Sequence, residues 1–271
     1  MADLHGELPP LRELAGAHAV VTGGGSGIGA AIAAELARRG AALTLMGRRH
    51  RPLEEHSATL GDRFGVAVAA IPCDVAEEGS VRRAFAAARE RSGDPTILVN
   101  NAGQAAGSSF AETSLELWQQ MLAVNLTGSF LCARAVLPAM LAASSGRIVN
   151  IASTAGLRGY PHIAAYSAAK HGVIGLTRSL ALETVKKGVT VNAVCPGYTD
   201  TGMTDGAADG LSRARGISAE EARALISRSN PRGTLIRPEE VADAVAWLCS
   251  PAASAITGQA LVVAAGEVMA G

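Results

Sequence analysis

Tyr166 and Lys170 lie four residues apart in a run, Ala164 to Leu182, of helical composition. At 3.6 residues per turn that spacing sets both side chains on one helix face, one turn apart. A phenol of ordinary pKa, about 10, exchanges protons poorly at neutral pH. An ammonium one turn away favours the phenolate and moves the hydroxyl towards a useful acid–base range. Ser153 precedes Tyr166 by thirteen positions and follows Ile148-Val-Asn-Ile-Ala152. That run is rich in β-branched residues and alternates little, as does a strand buried on both faces. Ser153 then stands at the carboxyl end of a strand, where parallel α/β sheets hold ligands. Its hydroxyl and that of Tyr166 could hold a carbonyl oxygen between them while hydride arrives from elsewhere. Taken alone, Tyr-x-x-x-Lys is a common pattern and reads as an exposed helix pair.

The elements that must position these groups begin near the amino terminus. Ala19-Val-Val21 reads as a strand, Thr22-Gly23-Gly24-Gly25-Ser26-Gly27-Ile28-Gly29 as a glycine turn, and Ala30 to Arg39 as a helix stopped at Gly40. Glycines permit the tight turn and let the backbone approach a pyrophosphate, which then sits at a positive helix amino terminus. The second strand, Ala41 to Met46, ends in Gly47-Arg48-Arg49, with no carboxylate until Glu54. An acid there would hold a ribose 2′-hydroxyl, whereas an arginine fork grips a 2′-phosphate. NADP(H) is therefore favoured over NAD(H), although Arg48 and Arg49 could also solvate a surface.

Further strands are expected at Val66–Ile71, before Cys73-Asp74-Val75, and at Thr96–Val99, before Asn100-Asn101-Ala102-Gly103. Others are expected at Val189–Val194, before Cys195-Pro196-Gly197-Tyr198-Thr199-Asp200-Thr201, and at Ile256–Val263. Helices are expected at Ser80–Arg91, at Leu115–Met140 around Asn125, and from Pro238, whose following acids complement the helix dipole. Residues 202–230 are rich in Gly, Ala, Ser and Arg. Gly202, Gly206, Gly210 and Gly216 are expected to interrupt any helix in this segment, which has the place of a lid over substrate. Its arginines, Arg213, Arg215, Arg223 and Arg228, suit either a phosphate-bearing substrate or a solvated face. Alternating strands and helices predict an α/β fold: one doubly wound (Rossmann) domain of about seven parallel strands with helices on both faces. The domain is expected over 17–271, after an amino-terminal arm at 1–16.

Ser153 followed by Tyr166-x-x-x-Lys170, Thr22-Gly-x-x-x-Gly-x-Gly29 and Asn100-Asn-Ala-Gly103 together resemble the short-chain dehydrogenase/reductase family, over roughly 17–266. The resemblance implies that Tyr166 donates or accepts the proton and Ser153 binds the substrate oxygen. It implies that Lys170 holds the nicotinamide ribose, and that Asn125 distorts its helix and anchors a water in a proton relay. It makes Thr22, Gly23, Gly25, Ser26, Gly27, Ile28 and Gly29 the phosphate loop and gives Arg48 the 2′-phosphate. Many NADPH members add a basic residue inside the glycine loop, where this chain has Ser26. By the same resemblance Asp74 and Val75 contact adenine, Asn101, Ala102 and Gly103 lie under its ribose, and Pro196, Gly197, Thr199 and Thr201 hold the nicotinamide. Tyr198 joins Ser153 and Tyr166 as a substrate contact. Segments such as Tyr166-Ser-Ala-Ala-Lys-His-Gly-Val173 look most like reductases of 3-oxoacyl thioesters, and within them the ketoreductases of aromatic polyketide synthesis. An NAD-linked 3-hydroxyacyl-CoA or secondary alcohol dehydrogenase is the second reading. A redox-sensing regulator without turnover is a third, but such members commonly lose the Tyr or Lys that this chain keeps. A homodimer or homotetramer is expected from the family.

Composition agrees with a single large enzyme domain. The chain has 271 residues, 48% hydrophobic and 18% charged, enough apolar content for a sizeable core. Its 24 basic and 24 acidic residues leave no net field for nucleic acid or an anionic membrane. Cys73, Cys132, Cys195 and Cys249 form no Cys-x-x-Cys pair, so no metal site is expected and free thiols in a reducing compartment are. No apolar run is expected to span a membrane, no secretion signal is read at the amino terminus, and a cytoplasmic location follows as the expectation.

Overall fold

The apolar runs become seven strands of one sheet. They are β1 (His18–Thr22), β2 (Ala42–Gly47), β3 (Val68–Pro72), β4 (Ile97–Asn100), β5 (Gly146–Ile151), β6 (Val189–Pro196) and β7 (Ala260–Val263). The computed structural model describes residues 12–269, so most of the arm expected at 1–16 lies outside the described residues. Every pairing is parallel and the order is β3-β2-β1-β4-β5-β6-β7. The order reverses between β1 and β4. There the loops leaving the two strands part to opposite faces, and a crevice opens at their carboxyl ends.

The near-continuous hydrophobicity of the strands follows from burial on both faces. Val21, Leu45, Val99 and Val149 enter a core with Ile32 and Leu36 of α1 (Gly27–Arg38), Leu53 of α2 (His50–Phe64) and Val245 of α9 (Pro238–Cys249). Their neighbours Val20, Met46, Leu98 and Ile148 enter a second core with Phe85 of α3 (Glu78–Ser92) and Val136 of α5 (Gly128–Ala142). Successive side chains thus feed opposite layers, as a pleat requires.

Four expectations need correction. The seventh strand is shorter than Ile256–Val263, because Gly258 turns at φ +72 and only Ala260–Val263 pairs with β6. The glycines of 202–230 do not break helices: α7 (Gly202–Arg215) contains Gly206 and Gly210, and α8 (Ala219–Ser227) follows. Each interior glycine costs about 1 kcal/mol against alanine. A Ser218–Glu221 capping box, a left-handed Gly216 and the packed Ala208, Ala222 and Ile226 offset that cost. The helix expected at Leu115–Met140 is α4 (Leu115–Leu122) and α5 joined through one wide π-turn, Ala123–Thr127. By length and composition alone, Leu115–Ala142 is long and apolar enough to cross a membrane, against the expectation. In this fold its Leu131, Cys132, Val136 and Met140 pack into the second core. Residues 12–16 seat Leu14 in the first core, and its N–H donates to the Arg39 carbonyl (2.9 Å).

Candidate active site

The crevice is held open by a polar clip between the two halves of the sheet. Thr22 ends β1, and its Oγ1 accepts from the N–H groups of Asn101 and Ala102, each at 3.0 Å. The Asn101 side chain donates back to the carbonyls of Thr22 (2.9 Å) and Gly23 (3.3 Å). A Cβ on Gly29 would stand 2.2 Å from the Gly23 carbonyl oxygen, so only a glycine lets α1 begin this close to the turn. Gly23, at φ +68, is likewise closed to side chains by Asn101 and Ala102. Gly25 backs onto Leu53, and half-buried Ile28 packs against the first core. Ser26 caps α1 by position, is exposed and makes no capping bond, and no acid lies in the helix's first turn. Opposite the turn stands Thr201, whose Cγ2 would be 3.2 Å from a Cβ on Gly27. A narrow glycine-lined crevice ending at an uncapped helix amino terminus fits the pyrophosphate of a nicotinamide dinucleotide.

At one end of the crevice Arg48 and Arg49 follow β2, both exposed. Arg48, Pro72, Cys73, Asp74, Ser80 and Arg83 line a cavity of about 520 Å³. Asp74 is held by Ser80, whose Oγ accepts the Asp74 N–H (3.0 Å), and its Oδ1 accepts from Ala76 (3.0 Å). Val75 is buried against Gly128 at the start of α5, so only its backbone can meet a ligand here.

The other end holds the residues expected to react. Ser153 lies just past β5 with its Oγ accepting from Ala155 (3.1 Å). Tyr166 and Lys170 project from the first turns of α6 (Ala164–Thr184). The middle of α6 is tied to β5, and β5 to β4, by buried side-chain hydrogen bonds: Asn100 to Asn150 (2.9 Å), and Asn150 to Thr177 on α6 (2.8 Å). Lys170 is buried and its Nζ donates to the Ile151 carbonyl (2.8 Å), 5.6 Å from the Tyr166 ring centroid. Burial pushes the Tyr166 phenol up to about 12, against a hydrogen bond with Ser153 that pulls it down. Burial also pushes Lys170 down to about 8. The phenol is thus raised where spacing alone predicts lowering: burial sets the direction, and the Lys170 ammonium is turned onto the Ile151 carbonyl. A Cβ on Gly103 would lie 2.9 Å from Asn125 Oδ1 and 3.7 Å from Lys170 Nζ, so that bare backbone passes beside both.

Asn125 sits inside the π-turn, 1% exposed. Its Nδ2 donates to the carbonyls of Gln104 and Met121, both at 2.9 Å, and its Oδ1 accepts from Gln104 N–H (3.2 Å). The Met121 carbonyl is the acceptor that a regular helix would give to the Asn125 backbone, and here the side chain takes it.

Beyond β6, buried Pro196 closes the strand and Gly197 N–H donates to Val263 (3.1 Å). Thr199 is buried with Oγ1 donating to the Gly197 carbonyl (3.0 Å), which leaves Thr201, half-buried at the start of α7, nearer the glycine turn. Tyr198, with Leu211, Ile217 and Leu235, packs against Ala208, Ala222 and Ile226 of the lid, and burial raises its phenol. Of the lid arginines, Arg223 bridges Asp200 (2.5 Å) and Asp205, so it holds the lid to its own stem instead of awaiting substrate. Arg213, Arg215 and Arg228 are not paired with a carboxylate in this way; the first two lie at the exposed end of α7. One cluster has no local signature in the sequence. Glu267 is almost wholly buried and accepts from Tyr160 (2.7 Å) and Arg158 (3.0 Å), tying the chain beyond β7 to the loop before Tyr166.

Residues 23–267 match the family model described as enoyl-(acyl carrier protein) reductase. Together with the crevice and the Ser153, Tyr166 and Lys170 arrangement, the match decides the family. The chain is a short-chain dehydrogenase/reductase. As such it is an NAD(P)-dependent oxidoreductase acting on CH–OH donors and their ketones. A Streptomyces coelicolor protein named for ketoacyl reduction is 43% identical, covering 92% of this chain and 95% of that one. The 3-oxoacyl-[acyl-carrier-protein] reductase of Aquifex aeolicus is 36% identical, covering 94% and 98%. The crystal structure of a variant of the actinorhodin polyketide ketoreductase with NADPH superposes with a TM-score of 0.90 at 42% identity, covering 93% of this chain and 97% of that one. This reductase therefore shares its fold and nearly its full length with proteins named for reducing oxoacyl groups.

Proposed function

We propose that this reductase takes NADPH and reduces the 3-oxo group of an acyl thioester, carried on coenzyme A or an acyl-carrier protein, to a secondary alcohol. The observation that carries the reading is the meeting of Ser153, Tyr166 and Lys170 at the carboxyl end of β5, beside a dinucleotide crevice. Bound NADPH supplies hydride to the carbonyl carbon. The chain's own work is the proton and the alignment. Ser153 Oγ and Tyr166 Oη both donate to the carbonyl oxygen, and Tyr166 gives up its proton as the alcohol forms. A phenol held near 12 is fully protonated at neutral pH and suits a donor in the reducing direction. Lys170, charged below about pH 8, steadies the tyrosinate that remains and reaches the ribose past Gly103. Asn125 fixes the Gln104 backbone beside Lys170 and anchors the relay that returns a proton to Tyr166.

Thr22, Gly23, Gly25, Ser26, Gly27, Ile28 and Gly29 cradle the pyrophosphate in this reading, with Asn101, Ala102 and Gly103 under the ribose. Asp74 and the Val75 backbone meet adenine, Arg48 and Arg49 meet the 2′-phosphate, and Pro196, Gly197, Thr199 and Thr201 frame the nicotinamide. Tyr198 and the lid at 202–230 close over the acyl chain. We also read the protein as soluble and cytoplasmic, and as a homodimer or homotetramer. A second reading, an NAD-linked 3-hydroxyacyl or secondary alcohol dehydrogenase, is favoured by the D-beta-hydroxybutyrate dehydrogenase of Rhizobium meliloti, 37% identical over 244 residues. Initial rates with acetoacetyl-CoA separate the two. A fast, NADPH-selective rate supports the first reading, and an NADH preference supports the second. No rate with either cofactor turns the search to smaller or cyclic ketones.

A further inference from the structure

Arg48 is not the only guanidinium at the adenosine end of the crevice. Arg83, on the second turn of α3, the helix that follows β3, lines the same 520 Å³ cavity. Its Nη1 would lie 3.4 Å from a Cβ on Gly79, so the guanidinium folds over the first turn of its own helix. That turn is fixed to the strand end by the Asp74–Ser80 hydrogen bond, which sets where Arg83 starts. Two other arginines of the flanking helices are paired, Arg51 with Glu55 (2.7 Å) and Arg134 with Glu78. Arg48 and Arg83 have no ion pair with any described residue, and both are exposed. The one carboxylate in the cavity, Asp74, already spends an oxygen on Ala76. Two like charges facing one cavity repel each other, and a dianion between them removes that penalty while gaining two forked contacts.

We infer that Arg83 is a further arm of the grip on the cofactor's 2′-phosphate, closing from α3 on the oxygens that Arg48 and Arg49 reach from the end of β2. The inference rests on the NADPH reading above and extends it to a residue outside the β2 end. As a phosphate arm, Arg83 contributes to 2′-phosphorylated ligands and little to others. As a stacking plate on adenine it would serve both equally.

The test is calorimetric titration of the full chain with 2′,5′-ADP and with 5′-AMP, which needs no turnover. Wild type is expected to prefer 2′,5′-ADP. Arg83→Ala should weaken 2′,5′-ADP by about tenfold or more and leave 5′-AMP within about twofold, as for loss of a charged hydrogen bond. Arg83→Lys should recover part of the loss, and an unchanged melting temperature checks the fold. An Arg83→Ala protein that weakens both ligands alike, or neither, overturns the inference, while a surviving preference lost on Arg48→Ala leaves the NADPH reading standing. A wild type that binds the two ligands alike overturns both.

Discussion

At the scale of single residues, burial governs the chemistry. Tyr166 has its hydroxyl held by Ser153, and desolvation keeps its proton on to about pH 12. Tyr166→Phe removes that proton and nothing of the crevice. Turnover should fall by about 10²–10⁴-fold or more, while NADPH affinity measured by fluorescence stays within about twofold. Loss of binding instead would assign Tyr166 a structural role. Lys170 gives a pH signature. Its folded value of about 8 lies below the ordinary 10.5, so between these values the unfolded chain holds a proton that the native chain has shed. Native stability owed to this site therefore rises with pH across that window, and the penalty for the buried ammonium is present in full below it. The melting temperature of wild type relative to Lys170→Met should climb from about pH 8 to about pH 10. A flat difference would mean that Lys170 titrates as an exposed lysine does. Reduction should slow over the same rise through about pH 8, as the ammonium loses its charge.

At the scale of elements, the π-turn is the feature on which the site depends. Within one long helix the backbone would satisfy itself, and Asn125 would be a polar residue in an apolar stretch. Widening the turn hands the Met121 carbonyl to the Asn125 side chain and fastens the Gln104 backbone beside Lys170. Asn125→Ala strands the buried Met121 carbonyl and the half-buried Gln104 N–H and carbonyl, and should cost about 2–4 kcal/mol in denaturant unfolding, with a matching fall in kcat. Retention of full stability would show that the regular helix forms without it. The helix and the asparagine were both readable from the sequence. Which carbonyl the asparagine takes was not, because Gln104 is twenty-one residues away.

At the scale of the whole molecule, two thick cores share one sheet and the lid stands apart. Ala208, Ala222 and Ile226 form a small cluster of their own, with Tyr198, Leu211, Ile217 and Leu235 around it. Segments with so few buried contacts open below the global unfolding energy. Amide hydrogen exchange should therefore run through α7 and α8 well before β1, β4 and β5, and slow in the lid when NADPH and a 3-oxoacyl thioester are added together. Exchange at core rates in the free protein would make the lid part of the rigid body. The Arg223 bridge to Asp200 and Asp205 acts at the same scale, since it ties α8 to the stem from which the lid starts.

What the sequence determined by itself is local. A glycine turn between an apolar strand and a helix, a serine at a strand end, and Tyr and Lys one turn apart all depend on neighbours within about two turns, where spacing alone dictates direction. Those features were enough for the fold class, the crevice and the reacting groups. Tertiary structure decided whatever joins distant segments. Thr22 clips to Asn101 across seventy-nine residues, and Arg83 comes to face Arg48 only because β2 and β3 pair side by side. Glu267 meets Arg158 across more than a hundred residues. The direction of the Tyr166 and Lys170 pKa shifts belongs here too. Spacing says that an ammonium lies near a phenol, but only packing says that both are dry, and in this fold desolvation is the largest influence on each.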